Sequence, residues 1–360
     1  MSQFERPNIR KMQGYTWGEQ PRDDGVIKLN TNENPYPPSP AVDAVFQQLT
    51  PGDLRRYPQP TADPLRAAIA DLHGVSRDQI VVTNGGDEAL RLAFTTFVEP
   101  GARFGMAEPS YSLYPVIAAI HGAETIRIEL SDEWKLPVDA SARLNGAGVQ
   151  LACIVNPHAP SGQLMSSDQL GALATALDGV LLIDEAYADF IDPTHGYDSR
   201  HLISEYDNVL ILRSFSKGYS LAGLRLGYLL GSIDLIEPIV TKTRDSYNVN
   251  HLSQVIGRVA FEDQTHARET WSKVRAQRSS LAARLGDLGL HAPSSEANFL
   301  LVSVPESCGH TAQSLYAGLK QAGVLVRYFD TPRLDDKLRI TVGTEEENDR
   351  LITELARMLD

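Results

Sequence analysis

Short strand-like runs recur along the chain at residues 80–83, 104–107, 125–130, 151–155, 180–183, 209–212 and 226–230, and all but 125–130, where Arg127 and Glu129 intervene, are almost wholly apolar. Runs of that length are what strands buried on both faces look like, and several of the stretches between them, such as 91–98, space their apolar side chains as a helix does. Seven such strands predict a mainly parallel sheet covered on both sides, with ligands at the carboxyl ends of its strands. Beyond Asn250 the pattern changes to about 35 residues of mixed apolar and charged positions, the signature of a long connecting helix. After it, 297–303, 324–327 and 337–343 read as strands and 311–322 and 345–359 as helices, which together make a smaller α+β unit. Leu338, Ile340 and Val342 alternate with Arg339 and Thr341, so Arg339 faces away from the apolar set.

The first forty residues follow neither period. Segment 29–40 carries Asn30, Asn32, Asn34 and Glu33 among prolines at 35, 37, 38 and 40, which fix a rigid path. Residues 40–49 read as a short helix, and 54–60, with Tyr57, is again extended and broken by proline before a helix starts near Asp63. The chain therefore divides into an arm over 1–45, a large domain over 46–255 and a small domain over 256–360.

Composition narrows the function. At 360 residues the chain exceeds what one core usually holds, and 42% hydrophobic with 22% charged residues is globular. A net charge of −13 argues against nucleic acid and anionic membranes but leaves room for small anions held by local arginines. Cys153 and Cys308 lie far apart without metal-ligand spacing, so neither a disulfide framework nor a metal site is expected. No run of 18 apolar residues occurs and residues 1–11 have no apolar core, which makes the cytoplasm the expected location.

Charged residues at the ends of apolar strands then carry the chemistry. Lys217 follows run 209–212 among small residues and hydroxyls, with Arg213 and Arg225 as nearby cations. Desolvation or neighbouring cations favour the neutral amine, the form that attacks a carbonyl cofactor. Asp184 ends run 180–183, where a carboxylate is costly without a cationic partner. Tyr187 lies one helical turn on. Residues 80–90 read as strand, glycine turn and helix, so amides near Gly86 and Asp87 at a helix start form a candidate phosphate seat. Tyr111 offers an aromatic face after the second run, and 156–162 is a loop fixed by two prolines and a glycine.

Taken in order, segments 29–40, 57–58, 84–89, 109–111, 156–162, 184–187, 214–228, 247–250, 298–299 and 338–340 resemble the fold-type I pyridoxal-phosphate aminotransferases, and within them the histidinol-phosphate aminotransferase group. The resemblance covers almost the whole chain. It implies an α/β fold with a seven-stranded, mainly parallel sheet in the large domain, and pyridoxal 5'-phosphate as cofactor. Lys217 would hold the cofactor aldehyde and move protons, Asp184 would pair with the ring nitrogen, Tyr187 would donate to the ring oxygen and Tyr111 would stack on the ring. Gly86, Asp87, Ser214, Ser216 and Arg225 would hold the phosphate, with Tyr57 reaching in from a second subunit of a homodimer. Asn156 would also contact the cofactor. Arg327 and Arg339 would hold the anionic group of the substrate, and Asn32 would lie in a segment closing over it.

The implied reaction is amino transfer from L-histidinol phosphate to 2-oxoglutarate by a ping-pong route, within histidine biosynthesis. Aromatic amino acid transamination, or decarboxylation of an O-phospho amino acid on the same scaffold, are the alternatives. Two positions depart from the family pattern. Ala159 stands where an asparagine usually donates to the ring oxygen, so a raised pKa of the lysine Schiff base is expected unless His158 or Asn156 supplies a donor. Gly86 stands where many relatives carry a phosphate-binding serine.

Overall fold

A computed structural model describes residues 3–21 and 25–359, so residues 1, 2 and 22–24 of the expected arm and residue 360 of the expected small domain lie outside the described residues. Twelve strands are described: β1 (Ile27–Lys28), β2 (Ile80–Thr83), β3 (Arg103–Glu108), β4 (Glu124–Glu129), β5 (Val149–Val155), β6 (Val180–Asp184), β7 (Val209–Ser214), β8 (Gly227–Gly231), β9 (Phe299–Ser303), β10 (Val324–Leu325), β11 (Arg327–Tyr328) and β12 (Lys337–Thr341). β2 to β8 form one seven-stranded sheet in the order β2-β8-β7-β6-β5-β3-β4. Only β8 runs antiparallel to its neighbours, so the sheet is mainly parallel.

Burial on both faces explains the continuous apolar runs. Alternate residues of one strand enter different cores: Leu181, Ile183, Val209 and Ile211 pack on one face of the sheet, Leu182, Leu210 and Leu212 on the other. Each such side chain contributes about 1.5–3 kcal/mol by leaving water. The carboxyl ends of β2, β3, β5, β6 and β7 therefore open on one edge of the sheet, where the connecting loops meet.

The smaller unit is built on the antiparallel sheet β11-β12-β9. The strand expected over 324–327 is two strands. Val324–Leu325 pairs in parallel with Ile27–Lys28 of the arm, Val326 turns into the core, and Arg327–Tyr328 joins the three-stranded sheet. Leu29 is buried in the same core, so this part of the arm is structurally part of the small unit.

The single long helix expected after Asn250 is two, His251–Glu262 and Gln264–Asp287. Asp263 breaks it, because its side chain accepts from the His266 N–H and caps the second helix. Ile256, Phe261 and Ala267 pack in the large core and Leu281 and Leu285 in the small one. The passage between the cores thus runs along Gln264–Asp287, beyond the junction expected at 255/256. No helix among the described residues is long and apolar enough to cross a membrane.

Candidate active site

β6 stays apolar until its last residue, and there Asp184 is 5% exposed. Its Oδ2 accepts from the Tyr114 hydroxyl at 2.7 Å and its Oδ1 from the Ala186 N–H at 3.1 Å. Both donors are neutral. Burial pushes the carboxyl up to about 6; the two hydrogen bonds hold it back, and the charges of Asp87 and Glu185 add to the rise. Among the described residues this carboxylate has no cationic partner.

Lys217 lies three residues past the end of β7, half-buried, with Nζ donating to the Thr31 carbonyl at 2.7 Å. Burial pulls its ammonium down to about 8 against the pull of Glu33, and Arg339, Arg225 and Lys28 act in the same direction as burial. Arg213, expected among those cations, is instead locked away: Nε donates to the buried Glu185 at 2.6 Å and Nη1 lies 3.7 Å from Asp189. Gly218 follows the lysine because a Cβ there would meet Asp189 Oδ2 at 2.0 Å. Its carbonyl accepts from Trp271 Nε1 at 2.7 Å, which ties the lysine loop to helix Gln264–Asp287.

The expected phosphate residues converge. Gly85, at φ +81°, leads into helix Gly86–Phe97, and a Cβ on Gly85 would sit 2.9 Å from Arg225 Nη2. The same Nη2 is 3.4 Å from Asp87 Oδ2, and Nη1 donates to Ser216 Oγ at 3.3 Å. The Ser216 N–H donates to Ser214 Oγ at 3.1 Å. A helix N-terminus, two hydroxyls and a guanidinium thus surround one place, an anion seat. Gly86 packs close under Leu212, whose Cδ2 would lie 3.3 Å from an added Cβ, so the missing hydroxyl at 86 goes with tight packing there. Tyr111 stands nearby, edge-on to Tyr114 at 5.4 Å and to Tyr15 at 5.7 Å.

The small unit supplies the opposite wall. Arg327 and Arg339 are direct partners across the β11–β12 pair. Arg327 donates to the Thr16 and Trp17 carbonyls at 3.3 and 3.4 Å, and Arg339 to the Asn30 carbonyl at 3.0 Å. Both guanidiniums lie against the Phe329 ring, and among the described residues neither has a carboxylate partner. Like charges facing each other across a strand pair repel, and an anion between them removes the repulsion. Asn32, at φ +57°, donates from Nδ2 to the Tyr187 hydroxyl at 3.0 Å and accepts from Thr341 Oγ1 at 3.1 Å. Tyr187 meets Phe299 edge-on at 5.0 Å.

Five buried side-chain polar atoms lack partners among the described residues, and three belong to one bonded group around the arginine pair: Arg339 Nε, Asn30 Oδ1, in the residue whose carbonyl accepts from Arg339, and Asn298 Oδ1, in the residue that donates to the Asn32 carbonyl. Buried polar groups in folded proteins are normally paired, so their clustering marks a place built for a polar ligand.

Two expectations need correction. Asn156 does not face the cleft: Nδ2 donates to the Met165 carbonyl and the Tyr197 hydroxyl at 3.0 and 2.9 Å, and Oδ1 accepts from the Met165 N–H at 2.8 Å. Its amide is consumed in holding its own loop. His158 is equally engaged, between the Pro109 carbonyl at 2.9 Å and the Ser161 hydroxyl at 2.7 Å, and burial drives its imidazole down to about 4. Neither residue is free to replace the donor absent at Ala159, which packs with Val155, Ala297 and Phe299 in an apolar cluster that also touches Tyr187.

Among the described residues Tyr57 makes no contact with the anion seat. It is 79% exposed and stacked on Tyr247 at 4.5 Å. Sequence reasoning did not single out Tyr114, Tyr15, Ser110 or Thr31. Tyr114 alone had a readable signal, one helical turn after Tyr111.

Comparison with known proteins gives consistent findings. Residues 24–355 match the family model described as aminotransferase class I and II. The chain is 41% identical over 360 residues to histidinol-phosphate aminotransferase 1 of Trichormus variabilis, covering all of both chains. Its fold is similar to the crystal structure of histidinol-phosphate aminotransferase from Sinorhizobium meliloti in complex with pyridoxal-5'-phosphate, with a TM-score of 0.90 at 24% identity over 100% of this chain and 99% of that one. It is also similar to L-threonine-O-3-phosphate decarboxylase from Porphyromonas gingivalis, with a TM-score of 0.78 at 22% identity over 93% and 99% of the two chains. At those identities the two structures speak for the fold alone.

Proposed function

Because the chain belongs to the class I and II aminotransferase family, we propose that it transfers the amino group of L-histidinol phosphate to 2-oxoglutarate in two half-reactions, with pyridoxal 5'-phosphate as cofactor. The observation that carries this is the facing pair Arg327 and Arg339, free of carboxylate partners among the described residues, across the cleft from a lysine whose ammonium burial draws down to about 8. Relatives bearing the histidinol-phosphate name match the chain end to end, which supports the choice of donor.

The residues present fit the cofactor. The anion seat of Gly86, Asp87, Ser214, Ser216 and Arg225 suits its phosphate, and Asp184, buried with only neutral donors, suits a protonated ring nitrogen. When bound, pyridoxal phosphate supplies an aldehyde that takes up the donor nitrogen and an electron-poor ring that spreads carbanion charge. The chain does the rest. Asp184 would keep the ring nitrogen protonated, Tyr187 would donate to the ring oxygen and Tyr111 would supply an aromatic face to the ring. Lys217 Nζ, drawn down to about 8, would take the proton from the amine-bearing carbon of the donor and deliver it to the cofactor's former aldehyde carbon, which leaves the nitrogen on the cofactor. Arg327 and Arg339 hold the donor phosphate, and later the distal carboxylate of the oxo acid, by forked hydrogen bonds. Asn32, bonded to Tyr187, lies in the segment that excludes water.

Two chains would complete each site. Phe46, Leu54, Tyr57 and Tyr247 are exposed apolar side chains, and in a homodimer Tyr57 would reach the partner's anion seat. A cytoplasmic setting belongs to the same proposal.

Arg339→Lys is the direct test of the anion-holding role. Lysine keeps the charge and loses the fork, so KM for histidinol phosphate is expected to rise roughly thirtyfold, about 2 kcal/mol, the worth of one hydrogen bond to a charged group. Histidinol, which lacks the phosphate, should react as with the parent enzyme. A variant that treats both donors as the parent does would remove the arginine pair from the substrate site.

A further inference from the structure

Loop 329–336 joins β11 to β12, and so joins the two strands that carry Arg327 and Arg339. Its Arg333 crosses to the large domain. Nη1 donates to the Leu130 carbonyl at 2.8 Å and Nη2 to the Ser131 carbonyl at 2.6 Å. The guanidinium also lies over the Trp134 ring, 5.0 Å from its centre. A planar fork on two successive carbonyls with an aromatic face beneath is a geometry that only arginine provides. Asp132 is 3.9 Å away and fully exposed, so that ion pair adds little.

Arg333 and Trp134 both hold left-handed backbone, at φ +70° and +62°. Residues with a Cβ keep that conformation only where surrounding contacts fix it. The contact also continues inward. The Trp134 ring lies 6.2 Å from that of His158, which bonds the Pro109 carbonyl next to Ser110 and Tyr111. A continuous set of contacts therefore runs from the arginine-bearing hairpin to the wall of the cleft.

We infer that Arg333 is a positioning residue for the reaction: it docks the β11–β12 hairpin on the large domain and so sets the span between the anion-holding arginines and Lys217. This rests on the role proposed above for Arg327 and Arg339. Without the clasp the hairpin keeps its fold but loses its fixed distance from the lysine, and a donor that must reach both ends is the one that suffers. A donor without the distal anion does not use the span.

The test compares parent, Arg333→Ala and Arg339→Lys holoenzymes with histidinol phosphate and histidinol, alongside hydrogen exchange of the cofactor-free proteins. Arg333→Ala is expected to raise KM for histidinol phosphate roughly tenfold with a smaller change in kcat, as a slight misplacement does. Histidinol kinetics should not change, and amides of 130–135 should exchange faster while the melting temperature holds. Arg333→Lys, lacking the fork, should not rescue. Arg333→Gln, which keeps the stem, carries the same expectation if alanine does not fold. An unchanged KM beside a raised KM in Arg339→Lys would overturn the positioning role alone, as would an equal loss with both donors. Unchanged KM in both variants would overturn the arginine assignment and this inference with it.

Discussion

Lys217→Ala is expected to lower turnover by at least about 10⁴-fold, the upper range of what a positioned acid–base group contributes, because the same amine also holds the cofactor. The fold should survive, since the lysine side chain makes one hydrogen bond, to the Thr31 carbonyl. The anion seat does not include Nζ, so the cofactor should still bind, more weakly. Small primary amines added to the variant should restore part of the rate by supplying the missing base. Turnover within tenfold of the parent would refute the role of Lys217, and so would a full loss without rescue in a protein that no longer binds the cofactor phosphate.

Asp184→Asn is expected to move stability and activity in opposite directions. An aspartate titrates near 3.9 in an unfolded chain, whereas burial holds Asp184 at about 6 in the folded one. Below about pH 4 the carboxyl is protonated in both states and the burial has no ionic cost. Between about pH 4 and pH 6 the unfolded chain ionises while the folded carboxyl stays protonated, so the cofactor-free protein loses about 3 kcal/mol of stability from this group over that window. Asparagine removes that loss. The cofactor-free variant should therefore melt higher than the parent near pH 7 and equally near pH 4. With the cofactor, its turnover should fall roughly 10³-fold, the equivalent of about 4 kcal/mol for an unmatched buried partner. Melting curves of both proteins at the two pH values, with turnover at pH 7.5, decide the matter; equal melting at pH 7 would mean that Asp184 bears no such burden.

The large sheet was legible because strands buried on both faces must be apolar throughout, and that pattern needs no tertiary information. Asp184 and Lys217 stood out for the same reason, as charges placed where an apolar strand ends. Other parts were illegible on physical grounds. Asn156 has the chemistry of a ligand-binding amide, and only its bonds to Met165 and Tyr197 show that it is spent on its own loop. Thr31 acts on Lys217 through a backbone carbonyl, which every residue carries. The division of 324–327 between two sheets depends on a partner distant in sequence, the arm strand Ile27–Lys28 that pairs with Val324–Leu325, and the cap at Asp263 is joined by an equally distant contact from Ser39. Arg213 looked like a neighbour of Lys217 along the chain but is turned to Glu185 in space.

In the proposed reaction one cleft, with Lys217 and Asp184 on one wall and Arg327 and Arg339 on the other, moves an amino group from histidinol phosphate. Its most direct measurement is a single half-reaction: cofactor-loaded protein mixed with histidinol phosphate without any oxo acid, followed by cofactor absorbance and by product. One equivalent of pyridoxamine phosphate per site, returned to the aldehyde form by 2-oxoglutarate and formed far more slowly from phenylalanine or tyrosine, is the predicted result. No conversion, equal rates with the aromatic donors, or carbon dioxide release from an O-phospho amino acid without use of 2-oxoglutarate would contradict it.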